Sequence, residues 1–307
     1  MSSEHMEVSR RTVLAHGVRG TVGTLTAAIL ASCNSLRTGP TGKSSSRMRF
    51  GLTTYQWGKD WDIPILINNC QRAQIFGTEL RTSLSYAHGV ELHLNAQQRR
   101  DVRKRFGDSP ITLVGLATSE RFDSPDPAKL KEAIENTMAY IKLSHDIGST
   151  GIRVFPNSFH KGVPRKKTIE QIGNSLNIVG AFAADYGQQV RLEAHGSAGE
   201  LPTIKAIMDL VVEPNVRVKL NSDKRDTLGK GLGYNFNLVK NKLGSTVHVH
   251  DFKAPGFPYQ LLMDLLVKID WNGWILLERS GKPQKPVKAL IEQREIWERM
   301  TENSLMA

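Results

Sequence analysis

Four side chains that can bind metal ions occur at the ends of consecutive short apolar segments in the second half of the chain. Glu193 ends the segment VRLE, Asn221 ends VRVKLN, His248 lies within TVHVHD, and Glu278 ends WILLE. The steps from 193 to 221, 221 to 248 and 248 to 278 are 28, 27 and 30 residues, about one strand–helix unit each. Parallel strands end at one edge of a sheet, so these oxygen and nitrogen donors predict a divalent-metal site there.

Two of these positions have a competitor two residues further along, on the same face of an extended strand. Asp223 follows Asn221 and reaches the site only if the strand end bends, whereas Asn221 itself offers a neutral and weaker ligand. His250 follows His248, and either imidazole can be the ligand. The sequence leaves both choices open.

The elements that must position these residues alternate between short strand-like segments and amphipathic helical segments from Met48 onward. Eight such pairs predict an α/β fold, a single (β/α)8 TIM barrel over residues 48–300, followed by a C-terminal tail at 301–307. Side-chain alternation places the Val and Ile of the strands toward the helices. It places polar residues in the barrel interior, namely Arg153, Glu193, Lys219, His248 and Glu278.

Residues 1–33 have the pattern of an export signal. The segment Ser9-Arg-Arg-Thr-Val-Leu14 resembles a twin-arginine motif, and a weakly apolar run leads to Leu30-Ala-Ser-Cys33, which resembles a lipobox. This resemblance implies lipidation of Cys33, a membrane anchor, and an exported protein in the periplasm or cell envelope. A plain signal peptide or an apolar N-terminal helix is the alternative. Residues 34–47, rich in Ser, Thr and Gly, are typical of a flexible tether.

The formal net charge of +11 is spread along the chain rather than concentrated in a nucleic-acid-binding motif. A basic surface can bind nucleic acid or an anionic membrane, or attract anionic substrates, but because no nucleic-acid motif accompanies it we expect no nucleic-acid partner and interpret the basic residues as ordinary surface charge. Two cysteines, Cys33 and Cys70, are too few for a disulfide framework. Nothing in the sequence indicates an oligomeric state.

Several motifs, in order along the chain, resemble the xylose-isomerase-like TIM barrels, often called the sugar phosphate isomerase/epimerase family. They are FGLTT from Phe50, ELRT from Glu79, LEAHG from Leu192, HVHD from His248, and the terminal-strand Glu278. The resemblance implies a Mn²⁺, Mg²⁺, Co²⁺ or Zn²⁺ ion held by Glu193, Asn221 or Asp223, His248 and Glu278, with the two glutamates doubling as acid and base. The chain departs from the family by having Asn221 where Asp is usual, and His250 where Lys is usual.

Other residues near the strand ends are candidates for substrate contact. His195 is expected to contact the substrate or support a ligand, and Arg153 to contact an anion or form an interior ion pair.

Glu79, Arg81 and His88 follow the second strand, where they either bind sugar hydroxyls or cap turns. Tyr55 and Trp57 follow the first strand and can form an apolar platform for a sugar ring.

The leading interpretation is a metal-dependent isomerase or epimerase that abstracts a proton next to the carbonyl of a sugar or keto-sugar. Lyase or hydratase chemistry on a keto-sugar begins with the same step. A non-catalytic sugar-binding lipoprotein on a decayed barrel is the alternative from another class, and the missing Asp keeps it open. An endonuclease-IV-like activity is disfavoured because its trinuclear zinc site needs many more His and Glu ligands than the strands provide, and because an exported protein meets no chromosomal DNA.

Overall fold

A computed structural model describes residues 45–307. The signal-like segment with Cys33, and all of the tether up to residue 44, lie outside the described residues. The elements alternate strictly, in the order β1 Arg49–Thr53, α1 Ile63–Arg72, β2 Gly77–Arg81, α2 Ala96–Gly107, β3 Thr112–Arg121, α3 Pro127–Asp146, β4 Gly151–Phe155, α4 Arg165–Ala184, β5 Gln189–Glu193, α5 Leu201–Met208, β6 Val216–Lys219, α6 Gly231–Val239, β7 Thr246–Val249, α7 Tyr259–Lys268, β8 Trp274–Leu277 and α8 Pro286–Met306.

The eight strands form one parallel sheet in the order β6-β5-β4-β3-β2-β1-β8-β7. The two outer strands, β6 and β7, approach each other where the Gly244 amide donates to the Val218 carbonyl at 2.8 Å, and the His248 amide to the Leu220 carbonyl at 2.9 Å. The sheet is therefore a nearly closed barrel, which confirms the predicted (β/α)8 fold. Its carboxyl-terminal end is the rim where TIM-barrel sites form.

Local sequence signals mark the starts of several helices. Asp62 caps α1, Asn95 and Gln98 form a capping box at α2, and Asp126 caps α3 just before Pro127. Some element ends differ from the sequence pattern. The apolar run at 111–116 predicts a third strand that ends at Leu116, but β3 runs on to Arg121. α8 continues to Met306, through most of the residues expected to form the tail.

The hydrophobic core lies mainly between the barrel and its helices, and it includes the outward-facing Val and Ile side chains of the strands. Within residues 45–307, a small separate apolar cluster of Val114, Trp274 and Leu276 lies in the barrel interior. Glycine makes room for the large interior side chains, since a Cβ at Gly77 would lie 2.3 Å from the Trp274 ring. Above this cluster, buried charged side chains fill the interior.

Among residues 45–307, no helix is both long and apolar enough to cross a membrane.

Candidate functional site

Three side chains from different strands meet inside the barrel. Glu193 ends β5, His248 lies in β7, Glu278 directly follows β8, and all three are buried. One potential ligand atom of each lies within 4.8 Å of the others. Nδ1 of His248 is 3.0 Å from Oε2 of Glu193 and 3.4 Å from Oε2 of Glu278. We call these three residues the carboxylate–histidine group.

The other ring nitrogen of His248 contacts two side chains, those of Glu79 and Thr53. Its Nε2 lies 2.6 Å from Oε2 of Glu79 and 3.0 Å from Oγ1 of Thr53. Nζ of Lys219 donates to both oxygens of Glu79 at 2.7 Å, and both of these side chains are fully buried. The imidazole is therefore oriented by a carboxylate that is itself fixed, and its Nδ1 faces Glu193 and Glu278.

Each carboxylate of the group also has an arginine partner. Nη1 of Arg153, in β4, donates to Glu193 at 3.1 Å, and Nη1 of Arg81, at the end of β2, donates to Glu278 at 3.1 Å. The guanidinium of Arg153 lies 4.0 Å from the centre of the Phe155 ring, and that of Arg81 lies 4.9 Å from the Tyr55 ring. The carboxylates are thus fixed by charge-assisted hydrogen bonds.

The charges of the group depend on one another. Burial disfavours the ionised form of Glu193, but Arg153 and His248 outweigh it and hold the pKa of Glu193 below its usual range. Burial acts in the same way on Glu278, and His248 nevertheless lowers its pKa to about 2. For His248, burial and Lys219 oppose protonation, but the three surrounding carboxylates raise its pKa to about 10. Both glutamates are therefore ionised at neutral pH.

The structure distinguishes between the paired candidates of the sequence. His248 joins the group, whereas Nδ1 of half-buried His250 lies 2.9 Å from the backbone carbonyl of Glu278. Asn221 is buried, and its Oδ1 has no hydrogen-bond partner within the described part of the chain. Asp223 instead accepts from Arg225 at 2.6 Å and caps the short 3₁₀ helix that follows.

The candidate substrate-contact residues occupy different depths. His195 is half-buried at the rim, with its ring 4.5 Å from that of Phe155. Burial is the main cause that lowers its pKa. Arg153 and Glu79 are fully buried, so Glu79 supports His248 and Lys219 and is not free at the rim.

The remaining candidates lie around the first two strand ends. Both ring nitrogens of His88 are engaged, Nε2 with the Arg81 carbonyl at 2.9 Å and Nδ1 with the Val90 amide at 3.0 Å, so this residue organises the loop. Burial lowers the pKa of His88 to about 4. Tyr55 is partly exposed beneath Arg81, while Trp57 is buried with the Arg279 guanidinium 5.5 Å from its ring.

Sequence reasoning placed Lys219 in the interior without pairing it with Glu79, and it did not single out Thr53. Both contact Glu79, and Thr53 also contacts His248. The available signal for Lys219 was a lysine at an inward strand position, where an unpaired charge is costly. Thr53 carried no comparable signal, because threonine is common in strands.

The residues of the group fit a divalent ion. Nδ1 of buried His248 forms no hydrogen bond of acceptable geometry with any described residue, although two carboxylates lie close to it. An orphaned nitrogen beside two carboxylate oxygens, with the opposite nitrogen on a carboxylate, matches the way proteins hold a metal-bound imidazole. The mixed oxygen and nitrogen donors suit Mn²⁺, Co²⁺ or Zn²⁺.

The chain belongs to the xylose isomerase-like TIM barrel family, whose model matches residues 80–300. This region contains every member of the carboxylate–histidine group as well as Arg81, Arg153 and Lys219. Comparison with curated protein sequences gave no match.

Solved structures share the fold at low sequence identity. The apo form of the 3-keto-D-glucoside 4-epimerase YcjR from E. coli is 13% identical, with a TM-score of 0.68 over 82% of this chain and 99% of that chain. The IOLI protein with a binding zinc atom is also 13% identical, with a TM-score of 0.70 over 84% and 99%. D-psicose 3-epimerase with D-tagatose, from Clostridium cellulolyticum H10, is 18% identical, with a TM-score of 0.62 over 84% and 97%.

Proposed function

We propose that this protein is a metal-dependent isomerase or epimerase that moves a proton next to the carbonyl of a sugar or keto-sugar. The observation that carries the proposal is the convergence of Glu193, His248 and Glu278, in which Nδ1 of His248 faces two ionised carboxylates and has no hydrogen-bond partner of acceptable geometry among residues 45–307. The names of the structural relatives support it, since YcjR and D-psicose 3-epimerase are sugar epimerases and the IOLI structure contains zinc.

The chain's own residues supply the proton transfers. Glu193 and Glu278 reach the group from β5 and β8 and are both ionised, so either can accept the proton from the substrate carbon, and the carboxylate that has accepted it can then return it. Arg153 and Arg81 fix the orientation of these carboxylates, and burial keeps water away from them. A divalent ion held by Glu193, His248 and Glu278, with Asn221 as a further candidate ligand, would supply Lewis-acid polarisation of the substrate oxygen.

Metal content is the first test. We expect about one divalent ion per chain after the full-length protein is reconstituted with Mn²⁺, Co²⁺ or Zn²⁺, and its loss in Glu193→Gln and Glu278→Gln. Glu135→Gln is the matched control, because Glu135 lies on the exposed surface of α3, where it pairs with Lys131. Retention of the ion in both Glu193→Gln and Glu278→Gln would contradict the proposed ligand set.

Hydrogen exchange separates catalysis from binding. An isomerase or epimerase should exchange the hydrogen next to the carbonyl of its keto-sugar with D₂O, and NMR of a panel of keto-sugars detects this exchange. Loss of water or bond cleavage after the exchange would instead identify the hydratase or lyase alternative. The Glu193→Gln and Glu278→Gln variants should show no exchange.

A non-catalytic sugar-binding protein is the second candidate. The pairing of each carboxylate with an arginine, and the neutral Asn221 at the expected strand end, favour it because they leave fewer free anionic ligands. If it is correct, Glu193→Gln and Glu278→Gln will retain sugar affinity and no keto-sugar will exchange hydrogen in the wild type.

We further propose that the protein is exported and anchored in the cell envelope through Cys33, on the basis of the signal-like pattern of residues 1–33. Fractionation of cells that express the wild type and Cys33→Ser tests this location. We expect the wild type in the membrane fraction and the variant in the soluble periplasm. Equal distribution of the two would contradict anchoring through Cys33.

A further inference from the structure

One edge of a buried arginine has no partner. Arg153 is fully buried, and its Nη1 donates to Glu193. Its Nε and Nη2, which lie side by side on the opposite edge of the planar guanidinium, have no hydrogen-bond partner among residues 45–307. This edge carries the two parallel N–H groups that bind a carboxylate in bidentate fashion. A buried, unpaired pair of donors on a cation is costly unless a ligand or water satisfies it.

The guanidinium is located toward the rim of the barrel. It packs on the ring of Phe155, which is the last residue of β4, and that ring contacts the imidazole of His195 beyond the end of β5. Nδ1 of His195 is also buried without a partner in the described residues. Because both aromatic residues stand at the carboxyl ends of their strands, the unpaired edge belongs to the region where a substrate of the carboxylate–histidine group would lie.

Arg81 repeats the same arrangement on the other side of the group. It holds Glu278 through Nη1, packs on Tyr55, and has a buried Nε without a partner among the described residues. Three of the unpaired nitrogens near the group are therefore guanidinium N–H donors. These N–H donors would be satisfied by oxygen acceptors on a ligand.

The charge balance of the interior favours an anionic ligand. The buried or nearly buried charged side chains around the group are three carboxylates and three cations, which balance without a metal ion and with His248 taken as the neutral imidazole that binds metal; they are Glu79, Glu193, Glu278, Arg81, Arg153 and Lys219. Arg191 is also buried, but it donates to the Val114 carbonyl and the Thr150 hydroxyl near the amino-terminal ends of the strands, away from the group. A bound divalent ion would add two positive charges. Since charges away from water need compensation, this interior favours a negatively charged substrate over a neutral one. The net charge of +11 for the whole chain acts in the same direction.

We propose that the substrate is a keto-sugar acid whose carboxylate is bound by the Nε/Nη2 edge of Arg153. Two parallel donors match the two oxygens of a planar carboxylate, and Phe155 provides an apolar wall beside it. That the substrate is a keto-sugar rests on the proposed function, whereas the carboxylate subsite is inferred from the unpaired donors of Arg153.

Binding of three probes to the full-length protein tests the subsite. D-fructose, D-fructuronate and D-fructose 6-phosphate differ only in the group at carbon 6, and calorimetry gives their affinities. We expect wild-type protein to bind D-fructuronate at least about tenfold more tightly than D-fructose. Arg153→Lys keeps the charge but not the bidentate edge, so it should lose most of this preference, as should Arg153→Gln. Arg165→Gln is the control, because Arg165 packs on Phe159 in the same manner but is exposed.

Three outcomes overturn the inference. Equal affinity for D-fructuronate and D-fructose means that water alone satisfies the edge, and this wild-type comparison decides even if the Arg153 variants fail to fold. Tighter binding of D-fructose 6-phosphate than of D-fructuronate assigns this edge of Arg153 to a phosphate instead. A preference for D-fructuronate that persists in both Arg153 variants places the carboxylate elsewhere. Metal content measured on the same samples keeps the two proposals separate. A variant that retains its metal but loses the preference for D-fructuronate identifies a role of Arg153 itself, whereas absence of metal from the wild type contradicts only the proposed function.

Discussion

Neutralising Glu79 tests whether the buried charges inside the barrel depend on one another. In Glu79→Gln, the ammonium of Lys219 loses the carboxylate whose two oxygens lie 2.7 Å from it, and both side chains are fully buried. Removing one partner of a buried ion pair costs about 3–5 kcal/mol. For a domain of this size, 1 kcal/mol corresponds to a shift of about 2–4 °C in Tm, so we expect Tm to fall by about 6–20 °C.

A double-mutant cycle isolates the interaction. Lys219→Met removes the other charge, and the double variant Glu79→Gln/Lys219→Met should recover part of the loss, with a coupling of at least about 1 kcal/mol. Urea unfolding measures the free energies. Glu135→Gln is the control, since its exposed pair with Lys131 at 3.7 Å should change stability by less than about 0.5 kcal/mol.

Glu79→Gln should also change metal binding, because Glu79 orients the imidazole of His248. Loss of this support should weaken metal binding about 10–100-fold. The reasoning is refuted if Glu79→Gln stays within about 1 kcal/mol of the wild type, or if the effects of Glu79→Gln and Lys219→Met simply add.

The remaining predictions concern pH, packing and the sixth strand. The pKa of His248 is raised to about 10, and its imidazole must lose a proton to bind metal. Metal affinity should therefore rise about tenfold per pH unit between pH 7 and 9 in competition titrations. A metal affinity that does not change over this pH range contradicts the prediction. In the metal-free chain the raised pKa of His248 stabilises the fold fully below its ordinary 6.5, and this contribution is lost as the pH rises toward 10. The lowered pKa of Glu278 acts in the opposite sense, with a contribution present above its ordinary 4.5 and lost as the pH falls toward 2; urea unfolding across pH measures both. Gly77→Ala should lower the free energy of unfolding by about 1–3 kcal/mol, because the added Cβ would clash with the Trp274 ring. In Gly107→Ala, the control, the added Cβ has no atom within 4 Å, so this substitution should leave the free energy of unfolding unchanged or raise it; urea unfolding measures both. Asn221→Ala should reduce metal affinity in the same titrations, whereas Asp223→Asn should not, because Asp223 is engaged with Arg225; the reverse result would show that the strand end bends.

Much of the fold could be predicted because its cause is local. Val and Ile on one face of each strand and amphipathic patterns between strands specify eight strand–helix units without reference to distant residues. The end of β3 was misplaced because its last part is held by pairing, as Arg121 opposite Phe155 shows, and not by an apolar pattern. The last turns of α8 were missed for a similar reason, since Thr301 is buried by tertiary packing.

The sequence by itself determined the barrel, its inward polar positions and the residue types able to hold a metal, since strand alternation and unit length are properties of neighbouring residues. Tertiary structure alone decided which of these residues meet. His248 rather than His250 faces the two glutamates, Asp223 is directed to Arg225, and Glu79 lies beneath His248. Such contacts join residues as much as 197 positions apart, as for Arg81 and Glu278. They follow from strand register and closure of the barrel, which no local pattern encodes.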